Sequence, residues 1–263
     1  MKKENSIDKL FENLVEQFSK IRNFELTQTD PLGNKLFNFV VKLVSEFDSY
    51  QKLFVQYYVP ASKKSAIAVK KEIKHSKYKK YFHITEEELN ENYYETIRLG
   101  YVGAYHKYES YIKRLPILMD EFFKELDFDN NFIPIKDYLK KEFDIELRKT
   151  IYNFPITYKV NWICNCVKHK DGYPLKEPIP PFFKHLNSSK KIQLESKEFK
   201  SDMEELITHN NLILQSFFLI GFYQYLNQEG ANKELKPEYQ EEGKIEVLKS
   251  HLNSTIKMIF SEA

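Results

Sequence analysis

Asn161, Asn165, Lys168 and His169 are the side chains whose types and spacing converge most clearly on a chemistry. On a helix turning about 100° per residue they fall within an arc of about 100°. Trp162, Ile163, Cys164, Cys166 and Val167 take the remaining directions. One helix can therefore bury an apolar arc and present two amides, an ammonium and an imidazole. An imidazole titrates near neutrality and can give or take a proton. Gly172 and Pro174 follow and end the helix. A purely structural use of the same residues is also open. Asn161 and Asn165 could brace the departing loop, and a histidine at a helix C-terminus is favoured by the helix dipole alone.

A second group lies upstream. Ser62 to Lys80 carries eight lysines and one acid, Glu72, with Tyr78, Tyr81 and Phe82 among or beside them. Cations interleaved with aromatic rings suit a nucleic-acid backbone and its bases, and Lys70, Lys71 and Lys74 are the expected contacts. The alternative is a solvated lysine-rich helix, partly neutralised by Glu86, Glu87, Glu88 and Glu91. His106 and Glu109 sit one turn apart, without the paired carboxylate–histidine pattern of a helical-bundle metal site, so no metal or cofactor is expected. The two cysteines, Cys164 and Cys166, point in different directions on a helix and lack zinc-site spacing. They read as small buried side chains in a reducing compartment.

The elements that must position these groups are helical. The chain has 263 residues, 42% hydrophobic and 30% charged, with a formal net charge of +2. That is enough to fold, and the charge neither demands nor excludes a polyanionic partner. Seven glycines disfavour a turn-rich all-β fold. Ile7, Leu10, Phe11, Leu14, Val15, Phe18 and Ile21 recur at helical steps, capped by Asn5 or Ser6. Leu36 to Tyr58 predicts a second helix ending before Pro60. Thr85 and Glu88 form a capping box, and the helix they open runs to Leu115 and meets Pro116. Gly100 and Gly103 inside it imply close approach of a neighbouring helix or a partner chain. Pro134–Phe143, Pro155–His169, a helix from Ser201 or Asp202, and Lys244–Phe260 complete the set. Ile192 and Leu194 alternate with polar neighbours, as in one small β element. Leu212–Leu226 is too short for a membrane span and predicts a buried helix. With no apolar leader at the N-terminus, the expected location is cytoplasmic, with no membrane contact.

The run Asn165-Cys166-Val167-Lys168-His169-Lys170-Asp171-Gly172, with a preceding long helix bearing Tyr105-His106-Lys107-Tyr108-Glu109, resembles the HEPN superfamily over about residues 85–227. These are helical-bundle proteins, many of them RNA-cleaving toxins or defence proteins. The resemblance implies an all-α fold: an N-terminal helical extension over 1–84, a HEPN-like bundle over 85–228 and a C-terminal helix over 229–263. It implies binding of RNA or nucleotides, with metal-independent endoribonuclease activity in stress or phage defence as the catalytic form. It also implies a homodimer and an antitoxin protein as partners. Metal-independent RNA cleavage needs a base for the 2′-hydroxyl, an acid for the leaving oxygen and a cation against the phosphate. His169, Asn165 and Lys168 would be the catalytic residues, and Asn161, Lys170 and His185 further ligand contacts. In the family's nucleases an arginine precedes the polar residue, whereas positions 162–164 here are Trp, Ile and Cys. Lys168 offers a point charge without an arginine's two-pronged geometry. The other reading of the chain is a non-catalytic helical scaffold that dimerises through its long aromatic helices.

Overall fold

The computed structural model describes residues 31–126, 132–147, 154–175, 180–183, 189–227 and 243–261. The predicted helix over Ile7–Ile21, His185 and residues 176–179 of the proline-rich segment lie outside the described residues. The described residues are helical, and no strand forms among them. The chain divides into two compact units, Phe47–Glu109 with Pro155–Thr208, and Met1–Glu46 with Ser110–Phe154 and His209–Ala263.

The first of these units holds both candidate groups. It begins within helix α1, Pro31–Lys52, which passes through a π-helical turn, Leu53–Tyr58, into α2, Val59–His75. The predicted stop before Pro60 is therefore wrong. Proline cannot donate to the carbonyl four residues back and its ring collides with it. Here a widened turn, closed by the Val59 N–H to the Phe54 carbonyl, precedes Pro60 in the first turn of α2. Helix α3, Glu86–Leu126, opens on the predicted capping box. The Thr85 N–H donates to the Glu88 carboxylate at 2.7 Å and the Glu88 N–H to Thr85 Oγ1 at 3.2 Å. The Thr85 N–H, and the Thr85 hydroxyl, which donates to the same carboxylate at 2.8 Å, hold the Glu88 carboxyl below its usual range. The helix continues through Pro116 instead of ending there.

Both α3 glycines are filled from within the chain. A Cβ at Gly100 would lie 2.5 Å from the Phe199 ring, and one at Gly103 would lie 1.8 Å from Tyr50 Oη. The Tyr50 hydroxyl donates to the Gly100 carbonyl at 3.1 Å. Burial raises its pKa. Helix α5, Pro155–Lys170, buries Val160, Trp162, Ile163, Cys164 and Cys166. Helix α6, Ser196–Leu226, starts five residues before the predicted Ser201. Tyr93 supplies a cap that no local motif announces, its hydroxyl accepting the Ser196 N–H at 3.0 Å. Residues 191–195 form neither helix nor strand. The Ile192 N–H donates to the Gly172 carbonyl, while the Ile192 carbonyl accepts from Arg98.

The second unit packs α4, Ile135–Phe143, and α7, Lys244–Ser261, with the neighbouring stretches of α3 and α6. Asp120 accepts the Ile135 N–H at 2.6 Å, and Asp144 closes α4 in the left-handed region at φ 58°. Edge-to-face ring pairs Phe123–Tyr138 and Phe143–Tyr223 lie in its core. Leu212–Leu226 forms part of α6, as predicted for a buried helix, with Ile213, Leu214, Phe217 and Ile220 almost fully buried. No helix among the described residues is long and apolar enough to cross a membrane.

Candidate functional site

Helix α5 carries the motif as its sequence implies. Asn161 and Asn165 are half-buried one turn apart, and the Asn165 amide donates to Asn161 Oδ1 at 3.0 Å. Lys168, His169 and Lys170 are exposed in the last turn. The Lys168 ammonium bonds to the Cys164 thiol, partly offsetting the rise in pKa that burial gives it. Burial pushes the Cys166 thiol up to about 11. Both thiols are free and buried, as expected of structural cysteines.

The end of α5 is fixed by a charged brace that the sequence reading missed. Asp171 is left-handed at φ 53° and Gly172 at φ 85°, and the Gly172 N–H closes back on the Cys166 carbonyl at 3.0 Å. A Cβ at Gly172 would press to 3.1 Å from Arg98 Cδ and Nε, so strain and crowding both favour glycine. Arg98 is only 1% exposed. Its Nε donates to Glu95 at 2.9 Å, its Nη1 to the Ile192 carbonyl at 2.9 Å, and its Nη2 to Glu91 and Glu95. Lys191 pairs with Asp171 at 2.7 Å and approaches Glu91 at 3.6 Å. That pairing lowers the Asp171 pKa and raises that of Lys191. The one signal in the sequence is the spacing Glu91, Glu95, Arg98, which shares a helix face.

A second polar cluster holds the first half of α5. Lys159 donates to Asp202 at 2.8 Å and to Glu198 at 3.1 Å. The Tyr101 hydroxyl donates to Asp202 at 2.5 Å. Burial raises the Asp202 carboxyl more than its bonds to Lys159 and Tyr101 lower it, and burial together with the Asp202 carboxylate raises the Tyr101 hydroxyl. Trp162 stacks on Phe183 at 4.8 Å, and the Lys159 ammonium lies 5.7 Å from that ring. These bonds join α3, α5 and α6 within one unit.

Lys70, Lys71 and Lys74 lie on α2, a different helix from the motif, and are exposed. Of α2 only Val59 and Ala66 are buried. Ser62 ties the helix to α3, donating to the Asn92 carbonyl at 3.1 Å and accepting from Thr96 at 3.0 Å. At helical spacing Lys63, Lys64, Lys70, Lys71 and Lys74 fall within about 120° of one another. Glu72 lies outside that arc. Among the described residues Lys64, Lys71 and Lys74 have no acidic partner.

The arrangement offers two surfaces of different character. One is a helix end with an exposed imidazole and ammonium, beside an arginine already saturated by two carboxylates and a carbonyl. The other is a stripe of cations aimed at solvent. Among the described residues the first lacks a guanidinium free to grip a phosphate, whereas the second can neutralise several phosphates in a row. No family model, curated protein or solved structure matches the chain.

Proposed function

We propose that the protein is a HEPN-like helical-bundle protein that binds RNA, holding the phosphate backbone along the lysine stripe of α2. The observation that carries this reading is the stripe itself: five lysines within one arc, three of them with no acidic partner among the described residues. Like charges so placed repel one another and add nothing to the fold. Their arrangement becomes favourable when a polyanion displaces its counterions onto them. His169, Lys168 and Asn165 would then be accessory contacts at the end of α5, with Asn161 and Lys170 beside them.

Cleavage belongs to the proposal only as the form the family resemblance implies. Positions 162–164 supply no arginine, and Arg98 is committed to Glu91 and Glu95. The test is a titration of purified protein with RNA at two salt concentrations, followed by incubation with RNA in excess chelator. Affinity that falls steeply with salt, without strand cleavage, is the expected result. Salt-insensitive binding would remove the stripe from the account. Chelator-resistant cleavage lost in His169→Ala would make the motif an active site.

A further inference from the structure

We infer that the far end of the α2 arm is a stacking platform for unpaired bases, so that the bound RNA is single-stranded. This rests on the RNA-binding reading above and adds the class of RNA. Nine of the sixteen large apolar side chains exposed among the described residues fall between Leu53 and Ile84, the segment that carries the lysines. Tyr78 is 53% exposed, Tyr81 66% and Phe82 45%, within five residues. Rings left in water contribute little to folding, and a cluster of them marks a contact surface.

These rings are held on an ordered turn. After α2, Ser76 turns to an extended conformation, and its hydroxyl accepts the Tyr78 N–H at 3.1 Å. The 3-10 turn Lys79–Tyr81 follows, with the Tyr81 N–H on the Tyr78 carbonyl at 2.9 Å and the Phe82 N–H on the Lys79 carbonyl at 3.3 Å. Lys77 lies 5.0 Å from the Tyr78 ring and Lys80 5.1 Å from the Tyr81 ring. Tyr78 and Tyr81 thus each have a cation at the ring, suited to the phosphate of a nucleotide whose base stacks there. From Lys74 back to Lys63 the cationic stripe extends about 17 Å along α2.

A duplex would use the lysines and leave the rings idle, because its base faces are hidden. A membrane surface would need α2 to offer an apolar face to the lipid. On α2, Val59 and Ala66 are buried in the protein, and the exposed Ile67 and Val69 point about 160° apart, so no continuous apolar face remains. An unpaired strand uses both the stripe and the rings.

The experiment is fluorescence anisotropy with a labelled, unstructured 16-nucleotide RNA and the same strand annealed to its complement. The proteins are wild type, Tyr81→Ala and Tyr81→Phe. Vesicles of phosphatidylcholine with phosphatidylserine serve as a third ligand. The single strand is expected to bind at least about tenfold tighter than the duplex. Tyr81→Ala should abolish that preference and Tyr81→Phe retain it, with thermal melting unchanged. Equal binding of both RNAs, unaffected by Tyr81→Ala, would overturn the platform while leaving RNA binding intact. Binding of neither RNA would overturn the reading beneath it. Vesicle binding that depends on Tyr81, without a single-strand preference, would replace the platform with a lipid contact.

Discussion

The end of α5 and the arm of α2 are both rich in lysine, yet they use charge in opposite ways. At the end of α5, Arg98 and Lys191 face Glu91, Glu95 and Asp171, and each of these two cations has at least two acidic or carbonyl partners. On α2, Lys64, Lys71 and Lys74 have no acidic partner among the described residues, and the nearby rings face solvent. Paired charge fixes a turn; uncompensated charge in a row waits for a counter-charge. The Asn161–His169 motif thus adjoins the braced turn, while the α2 lysine run is the surface proposed for contact with a ligand.

That contrast breaks if the brace proves dispensable. Arg98→Ala leaves two carboxylates and the Ile192 carbonyl without their donor. The expected loss of stability is about 3 kcal/mol, at the low end for a buried pair because both carboxylates reach water. Denaturant unfolding measures it, and RNA affinity below the transition should be unchanged. Gly103→Ala comes next. The new methyl must displace the Tyr50 ring and break its bond to the Gly100 carbonyl, for an expected loss of about 2 kcal/mol. Removing the hydroxyl as well, with Tyr50→Phe, should make the two changes less than additive in a double-mutant cycle.

The arm should show the reverse signature. Lys71→Ala with Lys74→Ala should lower the slope of log affinity against log salt by about 1.4 for a single strand. The melting temperature should stay within experimental scatter, since neither side chain is buried. A melting shift without a change in slope would make α2 the structural element. The smallest effect concerns Cys166. Its folded pKa, about 11, lies above the reference value of 9.0, so the folded state holds this proton more tightly. The resulting stability is present below pH 9 and is lost as pH rises through about 11. Unfolding midpoints measured from pH 8 to 11 should fall less steeply in Cys166→Ala than in wild type.

What could be read from the sequence was local or periodic. The Thr85–Glu88 capping box, the burial of Cys164 and Cys166 and the close approach at Gly100 and Gly103 follow from spacing and residue type. Prolines misled, because Pro60 follows a π turn and Pro116 sits inside α3. A residue's missing donor shows in the sequence, whereas the neighbouring turn that adapts to it does not. Ile192 and Leu194 alternate like a strand, but Arg98 takes the carbonyl that a second strand would need. That bond spans 94 positions of the chain, as the Tyr93 cap on Ser196 spans 103. Contacts at such separation leave only a weak trace, here the acids spaced one and two turns from Arg98.

Lysine-labelling footprinting with an acetylating reagent, read by mass spectrometry with and without single-stranded RNA, tests the central claim most directly. Protection concentrated on Lys64, Lys71, Lys74 and Lys79, with Lys168 and Lys170 little changed, is the predicted result. Protection of Lys168 and Lys170 with the α2 lysines unaffected would contradict it and return function to the end of α5.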